Sequence, residues 1–138
     1  MCADMTGDAR AFELFSRTLV NRFLGSRLVA HTPARVEVAL TTKPEFGQEY
    51  GIVQGGIISA LADTAAVYLL LPGAMDRGSV NGIEFKMNFL RPAMTDGSDL
   101  TAVATPVKIG RRIAVCSVDV MQKDRLVAQG TFTYLVEA

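Results

Sequence analysis

Gly51-Ile52-Val53-Gln54-Gly55-Gly56-Ile57-Ile58-Ser59-Ala60-Leu61-Ala62-Asp63-Thr64-Ala65-Ala66-Val67-Tyr68-Leu69-Leu70-Leu71 decides the fold of this chain. A glycine pair opens a long apolar segment with one carboxylate, Asp63, in its middle. Between Ile57 and Leu71 only Ser59, Asp63 and Thr64 are clearly polar, and the strong helix formers Ala and Leu dominate. The stretch therefore predicts a helix. A helix apolar nearly all round has no solvent face and has to be enclosed. Enclosed, Asp63 needs a hydrogen bond or a neutralising partner, and soluble chains rarely place a carboxylate there without a reason.

Working outward, residues 8 to 24 place Phe12, Phe15, Leu19, Val20 and Phe23 three or four apart, the pattern of an amphipathic helix. Thr6 or Asp8 is positioned to cap it and Gly25 to end it. Arg35 to Thr41 alternates as a strand does, and Lys43 to Gly51, with Pro44 and Gly47, reads as a loop. The central helix is expected to end near Pro72-Gly73. Beyond it the period becomes two. Ile83, Phe85, Met87 and Phe89 alternate with Glu84, Lys86 and Asn88, a strand with one apolar face that Pro92 stops. Residues 98 to 108, 112 to 122 and 126 to 136 read as three further strands. Gly110-Arg111 and Lys123-Asp124 are the turns, and the second, lacking glycine, does not declare its type. The expected order is helix, strand, buried helix and a four-strand meander. An antiparallel sheet curled around the central helix satisfies both the one-faced strands and the helix that needs a wrapper.

Composition narrows the function. With 138 residues the chain suits a single domain, 1–138, around one core. Hydrophobic residues at 49%, charged residues at 20% and a formal net charge of zero describe a globular protein. They offer no basic surface for nucleic acid or anionic membrane. The longest apolar run is short for a membrane span and carries Asp63. The first residues lack a signal-peptide layout, so a cytosolic protein is expected. Cys2 and Cys116 are too few for a disulfide framework or a metal site and are expected as reduced thiols. A lone histidine, His31, rules out any mechanism that needs several and is expected in a surface loop.

Four pieces of sequence resemble the hot-dog-fold acyl-CoA thioesterases, most closely the phenylacetate-pathway and 4-hydroxybenzoyl-CoA thioesterase type. They are Gly51 to Gly56 leading into Ala60-Leu61-Ala62-Asp63-Thr64-Ala65; Glu84-Phe85-Lys86-Met87-Asn88-Phe89-Leu90-Arg91-Pro92-Ala93; Gly110-Arg111-Arg112 entering Val115-Cys116-Ser117-Val118; and Leu126-Val127-Ala128-Gln129-Gly130-Thr131-Phe132-Thr133. They lie in the family's order from about residue 36 onward. The resemblance implies an α+β hot-dog fold, an antiparallel sheet wrapped around a long central helix with an N-terminal helix before it.

The resemblance also implies roles. Asp63 is the catalytic carboxylate, activating water or attacking the thioester carbonyl itself. Gly55, with Gly56 beside it, offers a backbone amide to the carbonyl oxygen. Free amides at a helix start, backed by the helix dipole, suit a developing oxyanion, and such a donor contributes roughly 3 kcal/mol. Gln48 helps place substrate or water. Apart from the resemblance, Asn81 and Gly82 precede the strongest strand, where a turn is the simpler reading and a place lining the site opposite Asp63 the other. Arg111 or Arg112, with Arg91 or Lys86, holds the CoA phosphates, since a guanidinium fork suits phosphate. Two positions depart from the family pattern. Gln54 stands where a histidine is usual and can donate but not exchange a proton. Val67 stands where some relatives carry Ser or Thr, leaving Thr64 as the only substitute.

Gly55 and Asp63 are eight positions apart, roughly 12 Å along a helix at about 1.5 Å per residue. One helix cannot easily bring both to one carbonyl. The family solves this with a dimer in which Asp63 of one subunit faces Gly55 of the other. A homodimer at least, and a homotetramer by resemblance, is expected, with acyl-CoA as substrate and no metal or other cofactor. Two other readings compete: a non-catalytic acyl-CoA binder or sensor, motivated by Gln54, and a hydratase, which would want a histidine near the helix start.

Overall fold

The apolar stretch forms the helix that its composition predicts. In the computed structural model, which describes residues 9–71, 73 and 78–137, it spans Gly55–Leu70 and is α3. Two short helices precede it, α1 (Ala9–Arg17) and α2 (Leu19–Leu24). Six strands complete the fold: β1 (Arg27–Thr32), β2 (Arg35–Thr41), β3 (Ser79–Phe89), β4 (Asp99–Ile109), β5 (Ile113–Gln122) and β6 (Arg125–Glu137). They form one antiparallel sheet in the order β1-β2-β4-β5-β6-β3. This is the α+β hot-dog arrangement.

Alternation along the strands builds the core. Val36, Val38 and Leu40 of β2, Leu100, Ala102 and Ala104 of β4, and Cys116, Val118 and Val120 of β5 are fully buried. Against them α3 turns Leu61 with Ala62, Ala65 and Ala66, and the small alanine side chains let helix and sheet approach closely. Burial pushes the Cys116 thiol up to about 11.

Six expectations change. The N-terminal helix is broken: Thr18 is extended at φ −73°, ψ 124°, and its hydroxyl donates to the Leu14 carbonyl at 2.7 Å. Gly25 does end α2, in the left-handed conformation at φ 80°. Thr6 and Asp8 lie outside the described residues, as do Cys2 and Pro72. Strand β1 was not legible because Leu28-Val29-Ala30 breaks alternation, and it forms by pairing with β2 at the sheet edge. The four-strand meander does not form. Strands β4, β5 and β6 follow one another, but β3 pairs with β6 and β4 with β2. Residues 90–98 carry the crossing, beginning at the Leu90-Arg91-Pro92 stop.

The apolar face of β3 is not covered by its own chain: Ile83, Phe85 and Phe89 are each about half exposed. Nor is α3 enclosed. The sheet wraps one side of it, and on the other Gly56 and Asp63 are exposed while Ser59, Ala60, Thr64 and Val67 are partly so. The turn whose type was open has both Lys123 (φ 50°) and Asp124 (φ 62°) left-handed, the geometry of a two-residue hairpin matched to strand twist.

His31 is not a surface residue. It stands on β1, 3% exposed, with Nε2 2.8 Å from both the Tyr68 and Leu71 carbonyls. It thus serves the C-terminal end of α3, which has no basic residue in its last turn.

Candidate active site

The start of α3 is held by the chain around it. Gln54 N–H donates to the Phe46 carbonyl at 2.9 Å and Val53 N–H to the Ala93 carbonyl at 2.7 Å. Helical geometry leaves the first-turn amides without intrahelical acceptors. Among the described residues nothing else accepts from Gly55 or Gly56 N–H, and Gln54 makes no side-chain cap. The two glycines answer different crowding. A Cβ on Gly55 would come within 3.1 Å of the Phe89 ring, and one on Gly56 within 2.6 Å of Gln54 Oε1. The Gln54 side chain therefore lies against the first helical turn. Gln48, exposed and fixed by its N–H to the Ile52 carbonyl at 2.7 Å, joins Gly55, Ile58, Phe89 and Arg91 around a cleft of about 380 Å³. The loop carrying it turns sharply at Tyr50 and Gly51, φ 62° and 71°.

Asp63 sits two turns further along, on the open side of the helix. The Tyr134 hydroxyl donates to its Oδ1 at 2.5 Å and lies 3.2 Å from its main-chain carbonyl. Burial, then the adjacent carboxylate, hold the Tyr134 phenol far above its ordinary range, so it stays protonated. Asp63, Gly82, Glu84, Phe85, Phe132 and Tyr134 border a second cleft, about 440 Å³. Its wall is a stacked pair, Phe85 on Phe132 with centroids 5.0 Å apart.

The anticipated residues thus divide. Gln48 and Gly55 share one cleft, which Gln54 and Gly56 do not line although they flank Gly55 at the helix start; Asp63 and Gly82 share the other. Asn81 is exposed on β3, its amide on Ser79 Oγ at 3.3 Å, and it lines neither cleft. Thr64 turns its hydroxyl back to the Ala60 carbonyl at 2.9 Å. Arg111 and Arg112 are exposed at the β4–β5 turn, one end of the sheet, near the row in which Ala114 faces Tyr134. Another cationic group sits at the opposite end. Arg91, Lys123 and Arg125 border a cleft that shares Arg91 and Pro92 with the one at Gly55. Of these, Lys123 is paired with Asp96 at 2.6 Å, and that pairing holds the Asp96 carboxyl well below the usual range.

Tyr134, Phe89 and Arg125 were missed in the sequence. Tyr134 carried a signal: it alternates with Phe132 and Val136 on the inward face of β6, and an inward tyrosine needs a partner for its hydroxyl.

A six-stranded sheet around a helix with a free-amide start and a carboxylate two turns on defines a hot-dog domain equipped for acyl chemistry. The thioesterase superfamily profile matches residues 50–129, and the chain belongs to that superfamily, as a thioester hydrolase. The medium/long-chain acyl-CoA thioesterase YigI of Salmonella typhimurium is 26% identical over 132 residues, covering 84% of each chain. Human acyl-coenzyme A thioesterase 13 is 29% identical over 116 residues, covering 81% of each. A solved structure of the phenylacetic acid degradation protein PaaI from Thermus thermophilus superposes with a TM-score of 0.77 at 26% identity, over 86% of this chain and 98% of that one.

Proposed function

We propose that this chain hydrolyses acyl-CoA thioesters, with each active site assembled from two copies. One observation carries the reading: amide donors and carboxylate lie in separate clefts along one open stripe of α3. Antiparallel pairing of that stripe with a second copy sets Asp63 of each protomer beside Gly55 of the other. The exposed apolar edge strand β3 supports such pairing. A homotetramer then forms by association of two dimers.

In that site the thioester carbonyl oxygen accepts from Gly55 N–H, and Gln48 orients the acyl end. Water attacks the carbonyl carbon while Asp63 takes its proton, or Asp63 attacks directly and water cleaves the acyl-enzyme. The oxyanion collapses, the C–S bond breaks and the thiol of CoA leaves with a proton. Phosphates are offered Arg91 with Arg125 at one end, and Arg111 with Arg112 at the other. The test is CoA release, followed with a thiol reagent, over aromatic and straight-chain acyl-CoAs. Wild type is expected to turn over and Asp63→Ala to fail; full turnover by Asp63→Ala refutes the reading.

A further inference from the structure

Tyr134 is 2% exposed, yet its hydroxyl ends at the carboxylate of the most exposed polar position on α3. A phenol has one proton to give, and the 2.5 Å contact with Oδ1 takes it rather than the 3.2 Å contact with the carbonyl. Asp63 Oδ2 has no hydrogen-bond partner among the described residues. The sheet is shaped around this contact. Gly82 faces Tyr134 and Glu84 faces Thr133, so Ile83 is an extra residue bulged out of the β3–β6 ladder. At Gly82 no side chain covers the ring; a Cβ there would stand 3.7 Å from Cε1. Bulge and glycine together keep the Tyr134–Asp63 pair at the mouth of its cleft.

The geometry points to Tyr134 as the positioning residue of the Asp63 carboxylate: it occupies Oδ1, fixes the rotamer and leaves Oδ2 to meet water or the thioester carbonyl. This rests on Asp63 being the catalytic carboxylate. Protonated throughout the neutral range, Tyr134 remains a donor while Asp63 acts. It acts through Asp63 and does not itself touch the substrate. Removing it frees the carboxylate to turn, which costs rate and leaves binding intact.

The experiment compares Tyr134→Phe, Asp63→Asn and the double variant in steady-state hydrolysis of the best acyl-CoA, with thermal midpoints alongside. Tyr134→Phe is expected to lower kcat roughly 10–100-fold with KM within about twofold, and to add no further loss in the Asp63→Asn background. Unchanged kcat overturns the inference. So does a fall in thermal midpoint with kcat retained, or an undiminished loss in the double variant, since either makes Tyr134 a structural pin. Inactive Asp63→Asn with silent Tyr134→Phe sinks this inference and spares the proposed function. Fully active Asp63→Asn sinks both.

Discussion

Asp63 combines one held oxygen with one open to solvent, the arrangement a base or nucleophile needs before substrate arrives. Asp63→Asn keeps the shape and removes the charge, so kcat is expected to fall at least about 100-fold with KM little changed; steady-state kinetics on both proteins checks this. Cys116 behaves oppositely. Its folded pKa is raised to about 11, so it favours the neutral thiol. The stability it lends is complete below the ordinary thiol range and is lost as pH rises toward 11. In a Cys2→Ser background, native protein at pH 8 is expected to resist a thiol reagent and to label once unfolded. Asp63 was legible because a lone carboxylate interrupts an apolar run. Its solvent exposure was not, because residue pattern reports which sides of a helix are apolar and not how many of them one sheet can cover. Tyr134 was legible only as an inward strand residue; that its hydroxyl meets Asp63 depends on the β3–β6 register.

At the scale of elements, α3 was readable almost to the residue, since helix propensity and apolar content agree over its length. Strand pairing was not. Alternation assigns faces and is silent on neighbours, so short turns alone put β3 beside β4, whereas it pairs with β6. Gly130 is where that pairing is tightest. A Cβ there would meet the Met87 side chain and stand 2.5 Å from the Lys86 carbonyl. Gly130→Val is expected to cost about 2–3 kcal/mol by overpacking, measured by urea unfolding, and to loosen β3 first in hydrogen exchange. His31 ties β1 to the end of α3. Its removal leaves the Tyr68 and Leu71 carbonyls without that donor, and His31→Ala is expected to cost about 1–3 kcal/mol, read from the same unfolding curves.

For the whole molecule, the proposed pairing makes a quantitative demand. Gly55→Pro removes one amide donor at a first helical position, after a residue already extended at φ −65°, ψ 135°. Because any Cβ there meets the Phe89 ring at 3.1 Å, Gly55→Ala, which adds the same crowding and keeps the amide, is the control and is expected to stay active. Alone Gly55→Pro is expected to be inactive, as is Asp63→Ala. Mixed in equal amounts and allowed to exchange, these two inactive variants should recover about one quarter of wild-type activity, because half the dimers are mixed and each holds one intact site. No recovery, in mixtures shown by mass to have exchanged, refutes the shared site. The strand order has a consequence for how such a site comes into being. Asp63 is synthesised early, but Tyr134 and the β6 ladder that anchors β3 come only after β4 and β5. On a ribosome the helix and most of the sheet emerge with the edge strand still unanchored, as a high-contact-order topology requires. The apolar face of β3 is then the surface a chaperone would have to shield, and the carboxylate is held in place only once β6 has paired, before a second copy can complete the site.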